Sequence, residues 1–334
     1  MTDLRDDQFE LLGDPPRAVR AVRELPPVAV AEMLRAPSAP ALLELLGITG
    51  KDLAELSALI GPAVEDPEIL GEITRTANLL RAGAGLEVPA ADLAALGREH
   101  GALQQRLAPG EGLLSILALA VSTSTVRAWH RERGLSTEQS WHVLADLGQQ
   151  MRVHRRSSGR LGLHQLPWMA LNWRGRLVHL GRLQFDLHRA ERGTAQERWV
   201  IGTHIPATGS LDPAAVEDSF ARAAEYFTTH YADLDADRPE GAPRFGHEFV
   251  CDSWLMNDLL PRELGEDSNL GAFVRRWEIV SQEAGDDSAA FFVFGVRPPY
   301  DADALPRTTR LERLVGDRLA DGSGWSAGRG RLVR

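Results

Sequence analysis

The chain has 334 residues, of which 43% are hydrophobic and 25% charged, with a formal net charge of -10. This length suits about two domains, and the acidic balance argues against a global attraction to nucleic acid or anionic membrane. The single cysteine, Cys251, excludes an intramolecular disulfide and a cysteine-built zinc site.

The acidic start, Met1-Thr-Asp-Leu-Arg-Asp-Asp7, lacks the apolar core of a signal peptide. From there to about residue 150, apolar residues recur three and four apart. Helical patterns cover 28–34, 41–46, 52–59, 67–80 and 91–103, punctuated by Pro37, Pro40, Pro62, Pro67 and Pro109-Gly110. The longest apolar run, 112–121, is too short to span a bilayer and suits a buried helix. The expected compartment is the cytoplasm. Ser136-Thr-Glu-Gln139 has the form of a capping box opening a helix to about Met151. These Ala- and Leu-rich segments predict a helical bundle.

Composition shifts at Arg152-Val-His-Arg-Arg-Ser-Ser-Gly-Arg160, so the expected domains are 1–153 and 154–334. Beyond it the periods shorten, and 166–172, 176–188 and 198–205 read as strands. In the second of these, Leu183, Phe185 and Leu187 fall on one face and Gln184, Asp186 and His188 on the other. The run Trp199-Val-Ile-Gly-Thr-His-Ile-Pro206 stops abruptly at His204 and Pro206. A strand ending this way presents its last polar side chain at a sheet edge, where α/β proteins place chemistry. A helix is expected over 214–231, a strand over 245–251, helices over 255–260 and 270–277, strands over 278–280 and 289–296, and a helix over 309–319. The fold class is therefore α+β, a helical N-terminal domain followed by a mixed α/β one.

Several motifs arrive in a recognisable order: Gly181-Arg-Leu-Gln-Phe185, His204-Ile-Pro206, Gly209, Leu211, Pro213, Cys251-Asp-Ser-Trp-Leu255, Leu260-Pro261, Ser268-Asn269 and Phe273. Phe292-Val-Phe-Gly295, Pro306-Arg-Thr-Thr-Arg-Leu311 and Gly324-Trp325 complete the series. Over roughly 155–330 the chain resembles the C-terminal half of the two-domain GNAT-like acyltransferases of actinobacteria. That family includes the enzymes that acylate the glucosamine of teicoplanin-type glycopeptide antibiotics. The Arg/Gln-x-x-Gly-x-Gly/Ala turn with which widespread GNAT enzymes cradle a pyrophosphate is not found. Arg81-Ala-Gly-Ala-Gly85 is Gly-rich but follows a helical pattern.

The resemblance implies transfer of a medium to long fatty acyl group from acyl-CoA, the donor co-substrate, to an amine, with no metal involved. A glycopeptide aminosugar is the leading acceptor. Another natural product or a protein amine is the first alternative, and a non-catalytic acyl-CoA-binding protein the second. A small-molecule partner is expected, and neither nucleic acid nor membrane. Such a site needs a base for the amine proton, and His204 is the expected catalytic residue, ahead of His164 and His179. Oxyanion donors are expected in the backbone of 203–205 or in tryptophan N–H groups. Trp168, Trp173, Ser253 and Trp254 are the candidate substrate contacts.

Lys51 is the only lysine, so arginine abundance reflects composition and only placement is informative. Arg275, Arg276, Arg307 and Arg310 are the expected partners of the CoA phosphates, with Arg152, Arg155, Arg156 and Arg160 as further candidates. Arg307 and Arg310 are three apart and would share a helix face. Cys251-Asp-Ser-Trp254 is no Gly-x-Ser-x-Gly elbow, which disfavours a serine hydrolase.

Overall fold

A computed structural model describes residues 23–85, 93–164, 166–206, 209–236 and 238–334. The chain divides into two compact units, Met1–Val178 and His179–Arg334. The boundary expected at 153/154 falls instead inside a helix.

The first unit is helical. Its described helices are α1 (Pro27–Arg35), α2 (Ala39–Leu45), α3 (Gly50–Glu65), α4 (Pro67–Ala82), α5 (Leu93–Leu107), α6 (Leu113–Glu132), α7 (Thr137–Leu144), α8 (Asp146–Ser158) and α9 (Leu166–Trp173). Local chemistry sets their starts. Asp66 accepts from the N–H groups of Glu68 and Ile69, with Pro67 in the first turn of α4. The Ser136/Gln139 capping box opens α7 as its sequence requires. Helix α6 is buried nearly all round, from Leu113 through Val121 to Val126, and forms the centre of the bundle. Each leucine or isoleucine fully buried there contributes roughly 1.5–3 kcal/mol of transfer free energy.

Two expectations about this unit change. The segment 166–172, read as a strand, is helix α9. Its buried residues, Leu166, Met169, Ala170 and Trp173, recur at helical spacing, and Pro167 is tolerated in the first turn. The basic stretch 152–160, where composition shifts, lies largely within a helix. It completes α8, which ends at Gly159 in the left-handed conformation.

The second unit carries a six-stranded mixed sheet in the order β1-β2-β3-β4-β6-β5. The strands are β1 (Val178–Leu180), β2 (Leu183–Ala190), β3 (Arg198–His204), β4 (Glu248–Ser253), β5 (Glu278–Ala284) and β6 (Ser326–Val333). The expected strand over 176–188 is broken at Gly181, whose positive φ turns the chain between β1 and β2. Strands β2 and β3 pair antiparallel, β3 and β4 parallel, and β6 antiparallel to both β4 and β5.

Helix α10 (Pro213–His230) connects β3 to β4 and is capped by Asp212, which accepts from Ala214 and Ala215. Its Phe220 packs edge-on against Phe185 of β2, Phe249 of β4 and Trp277. Helices α11 (Leu259–Leu264), α12 (Asn269–Val274), α13 (Asp286–Phe294) and α14 (Arg310–Ala320) complete the unit. The segment 289–296, read as a strand, belongs largely to α13. Its start carries Asp286 and Asp287, and Gly295 stops it in the left-handed conformation. A short apolar run does not distinguish strand from helix by itself; these end residues do.

Candidate active site at the end of the parallel strands

Strands β3 and β4 run together through Ile201–Phe249 and Gly202–Val250, and there their pairing ends. Both continue to the same edge of the sheet, β3 to His204 and β4 to Ser253. The carboxyl end of a parallel pair is where sheets of this kind receive ligands.

The register of β2 against β3 places Gln184 opposite His204, Asp186 opposite Gly202 and His188 opposite Val200. The three polar side chains of β2 and His204 therefore share one face. Asp186 is 4% exposed. Its Oδ1 lies 2.8 Å from His204 Nε2, and its Oδ2 lies 3.4 Å from His188 Nδ1. Burial alone would raise the Asp186 carboxyl. The hydrogen bonds and charge of His188 and His204 outweigh it and hold the group well below the usual carboxylate range. An ionised carboxylate only accepts, so His204 donates through Nε2. The neutral ring then carries its lone pair on Nδ1, and the half-buried imidazole can take a proton there.

Gly202 makes this geometry possible. A Cβ on Gly202 would stand 1.8 Å from Asp186 Oδ1 and 3.0 Å from His188 Cε1. The carboxylate thus lies across the β3 backbone where only glycine leaves space. The alternation in 183–188 puts Asp186 on this face, and its contact with His204 comes only with the strand pairing. Gly202, a glycine within an apolar strand, was the overlooked signal.

Ser253 and Trp254 share the edge with His204. Ser253 Oγ accepts from the N–H of Leu255 at 3.1 Å. The ring of Trp254 lies nearly parallel to that of Phe292, 13° between planes and 6.5 Å between centroids, and Phe292 is 61% exposed. Behind it, Trp325 donates through Nε1 to the carbonyl of Trp254 at 2.8 Å. Cys251 is buried, and its thiol is pushed up by burial and by Asp252, which removes it as a nucleophile.

Trp168 and Trp173 lie on α9 in the helical unit. Trp173 is buried and donates to the carbonyl of Leu119 at 2.8 Å; Trp168 donates to Asp146 Oδ2 at 2.6 Å. Both serve the bundle's own packing. His164 packs its ring 5.5 Å from that of His154 in the same unit, and His179 lies in β1. Arg155 bonds Asp52 and Glu55, and Arg152 bonds the carbonyl of Gly47, all within the helical unit.

The four arginines expected at phosphates have partners of their own. Arg275 pairs with Glu266, and Arg276 with Glu217 and the carbonyl of Pro213. Arg307 pairs with Asp317, and Arg310 donates to the carbonyls of Glu263 and Leu264 at the end of α11. Arg307 precedes Thr309, the cap of α14, so it shares no helix face with Arg310.

Comparison with known proteins gives the same division. Residues 37–175 match the N-acyltransferase N-terminal domain, and residues 177–332 match the GNAT-like C-terminal domain. No curated protein matches the chain. A solved acyltransferase in complex with decanoyl-CoA is 27% identical with a TM-score of 0.75. An acyltransferase in complex with decanoyl-CoA and teicoplanin is 28% identical with a TM-score of 0.71. A mutant acyltransferase in complex with octanoyl-CoA is 27% identical with a TM-score of 0.72. Each comparison covers 98% of this chain and 93% of the other. A helical unit followed by a mixed sheet with both domain matches defines an N-acyltransferase. The chain belongs to the two-domain GNAT-like acyltransferase family.

Proposed function

We propose that this enzyme transfers a medium to long fatty acyl group from acyl-CoA to the amine of a glycopeptide aminosugar, with His204 as the general base. The observation carrying the base assignment is the 2.8 Å contact of His204, at the end of β3, with the buried Asp186. Support for the substrates comes from the similar acyltransferases, whose complexes hold octanoyl-CoA, decanoyl-CoA and teicoplanin.

The chemistry follows from the donor. A thioester carbonyl is already activated, so the protein supplies alignment, a neutral amine and stabilisation of the oxyanion. Nδ1 of His204 takes a proton from the acceptor amine as its nitrogen bonds to the carbonyl carbon. The tetrahedral oxyanion collapses, the C–S bond breaks, and the CoA sulfur leaves as thiolate and is protonated. A positioned base contributes roughly 10²–10⁴-fold. Alignment in the notch where β3 and β4 part contributes roughly 7–11 kcal/mol in favourable cases. Backbone groups of Thr203 and Ile205 beyond the paired segment suit the oxyanion.

Among the arginines, Arg275 and Arg310 suit the CoA phosphates best. The Arg275 side chain is 47% exposed and Glu266 71% exposed, and an exposed ion pair is worth about 0–1 kcal/mol, little to exchange for phosphate. Arg276 and Arg307 are more enclosed, the first tied to α10 and the second to α14. Trp254 and Ser253, with Phe292, suit the acceptor's apolar body.

The test is an intact-mass assay with decanoyl-CoA and a teicoplanin pseudoaglycone, run beside a panel of other amines. The expected result is a product heavier by one decanoyl group, with release of free CoA thiol. Acylation of another amine in preference would overturn the glycopeptide assignment.

A further inference from the structure

We infer that Asp186 is the positioning residue of His204, and that Gly202 is the backbone opening through which it acts. The inference rests on the reading of His204 as the base.

Two buried carboxylates face the same side of the sheet, and they are served differently. Glu248, 4% exposed, receives two guanidinium groups: Arg198 at 2.7 Å through both Nε and Nη2, and Arg331 at 2.8 Å. Those charges are permanent, so Glu248 is neutralised at every working pH. Asp186 is as buried, yet among the described residues its two oxygens meet imidazoles, His204 at 2.8 Å and His188 at 3.4 Å. A carboxylate meant only to hold strands together is better served by arginine, as Glu248 is. One matched to imidazoles meets partners whose charge comes and goes with a proton rather than a permanent cation. It stabilises the imidazolium formed when the base accepts the amine proton.

The backbone is shaped for this carboxylate. Asp186 stands opposite Gly202, and Oδ1 occupies the space a Cβ there would fill, 1.8 Å away. Reaching across that point brings Oδ1 to His204, one diagonal step along β3. A side chain at 202 would force the carboxylate off β3 and leave His204 without its Nε2 acceptor. His188 holds the other oxygen and limits rotation of the carboxylate.

The test uses the full chain and the variants Asp186→Asn, Asp186→Glu, Gly202→Ala and His204→Gln. Asp186→Asn should lower kcat by roughly 10²–10⁴-fold, with KM for acyl-CoA within about threefold. Asp186→Glu should recover part of the loss. Gly202→Ala should reproduce the defect, and the double variant Asp186→Asn/Gly202→Ala should be no worse than either alone. Nitrogen-15 imidazole spectra should show His204 protonated at Nε2 in the wild type and redistributed between nitrogens in Asp186→Asn. Thermal melting identifies any variant that fails to fold; if Gly202→Ala does, Asp186→Asn carries the test. Normal turnover by folded Asp186→Asn, with an unchanged His204 spectrum, would overturn the inference. If His204→Gln abolishes turnover in that case, the base assignment stands without its carboxylate. If His204→Gln is itself fully active, the base assignment falls first.

Discussion

Arg182 donates through Nη2 to the carbonyl of Pro206 at 3.2 Å, two residues beyond His204. The same guanidinium reaches the carbonyls of Gly209 and Ser210 at 3.0 and 2.8 Å, while its backbone N–H donates to Ser219 Oγ at 2.7 Å. One side chain from the β1–β2 turn thus ties down Pro206, Gly209 and Ser210 beyond β3.

Replacing Arg182 by Met keeps the apolar stem and removes those three bonds. Because a misplacement of about 1 Å at a reacting group can cost 10²-fold, kcat/KM should fall roughly 10–10²-fold. Melting should show a loss of about 1–3 kcal/mol. Steady-state kinetics with decanoyl-CoA beside a thermal melt check both; unchanged kinetics would mean these bonds do not matter to the site.

His204→Ala should lower turnover by roughly 10²–10⁴-fold. The imidazole is about one-third exposed and the core is untouched, so the far-ultraviolet circular dichroism should match the wild type. A folded variant with near-normal turnover would exclude His204 as the base.

The helical unit should lose stability in mild acid. His130 is fully buried, accepts or donates at Ser140 Oγ over 3.0 Å, and is pushed down to about 3 by burial and by Arg127. Its unfolded value is near 6.5. Between those values the unfolded chain binds one more proton than the folded one. The stabilisation is therefore complete above about 6.5 and is lost as the pH falls toward 3, by about 1.4 kcal/mol per unit. Denaturant titrations at pH 7, 6, 5 and 4 on wild type and His130→Gln provide the check, and the variant should show the shallower decline.

Glu248 gives a second, lower window. Burial raises its carboxyl, but Arg198 and Arg331 prevail and lower it. Its contribution is present above the unfolded value of about 4.3 and disappears as the pH falls below that. Glu248→Ala at neutral pH should cost roughly 3–5 kcal/mol, because it strands the little-exposed Arg198 guanidinium. Urea unfolding at pH 7 measures this, and a cost below 1 kcal/mol would contradict it.

Phe292→Ser should leave the melting temperature nearly unchanged, since the ring is 61% exposed. It should raise KM for the glycopeptide severalfold more than KM for acyl-CoA if the Trp254–Phe292 face packs against the acceptor's apolar body. Equal effects on both substrates would remove the Trp254–Phe292 pair from acceptor binding.

Part of the candidate site's geometry is legible in particular residues. The alternation in 183–188 put Asp186 and His188 on one face, and the stop at His204 and Pro206 marked the strand end. The contact between Asp186 and His204 was not legible, because it depends on the β2–β3 register, which the linear sequence does not specify. The segments 166–172 and 289–296 look like strands because they are short and apolar. The residues that decide them, Pro167 in a first turn and Gly295 at a helix end, act through backbone geometry rather than hydrophobicity. The basic stretch 152–160 misled for another reason: Arg155 is charged but enclosed, paired with Asp52 and Glu55 from α3.

Pro206, Gly209, Ser210 and Pro213, which follow His204, are held by side chains from distant parts of the chain. Arg182 binds the carbonyls of Pro206, Gly209 and Ser210, Asn269 meets Ser210, and Arg276 reaches the carbonyl of Pro213. In sequence these anchors span 182 to 276, so Pro206, Gly209, Ser210 and Pro213 take their places only once β2, α10 and α12 have met. On refolding from urea, helical signal and hairpin formation should therefore recover ahead of acyl transfer. Nascent chains shorter than 276 residues should fold their first unit yet remain inert until the last anchor has left the ribosome.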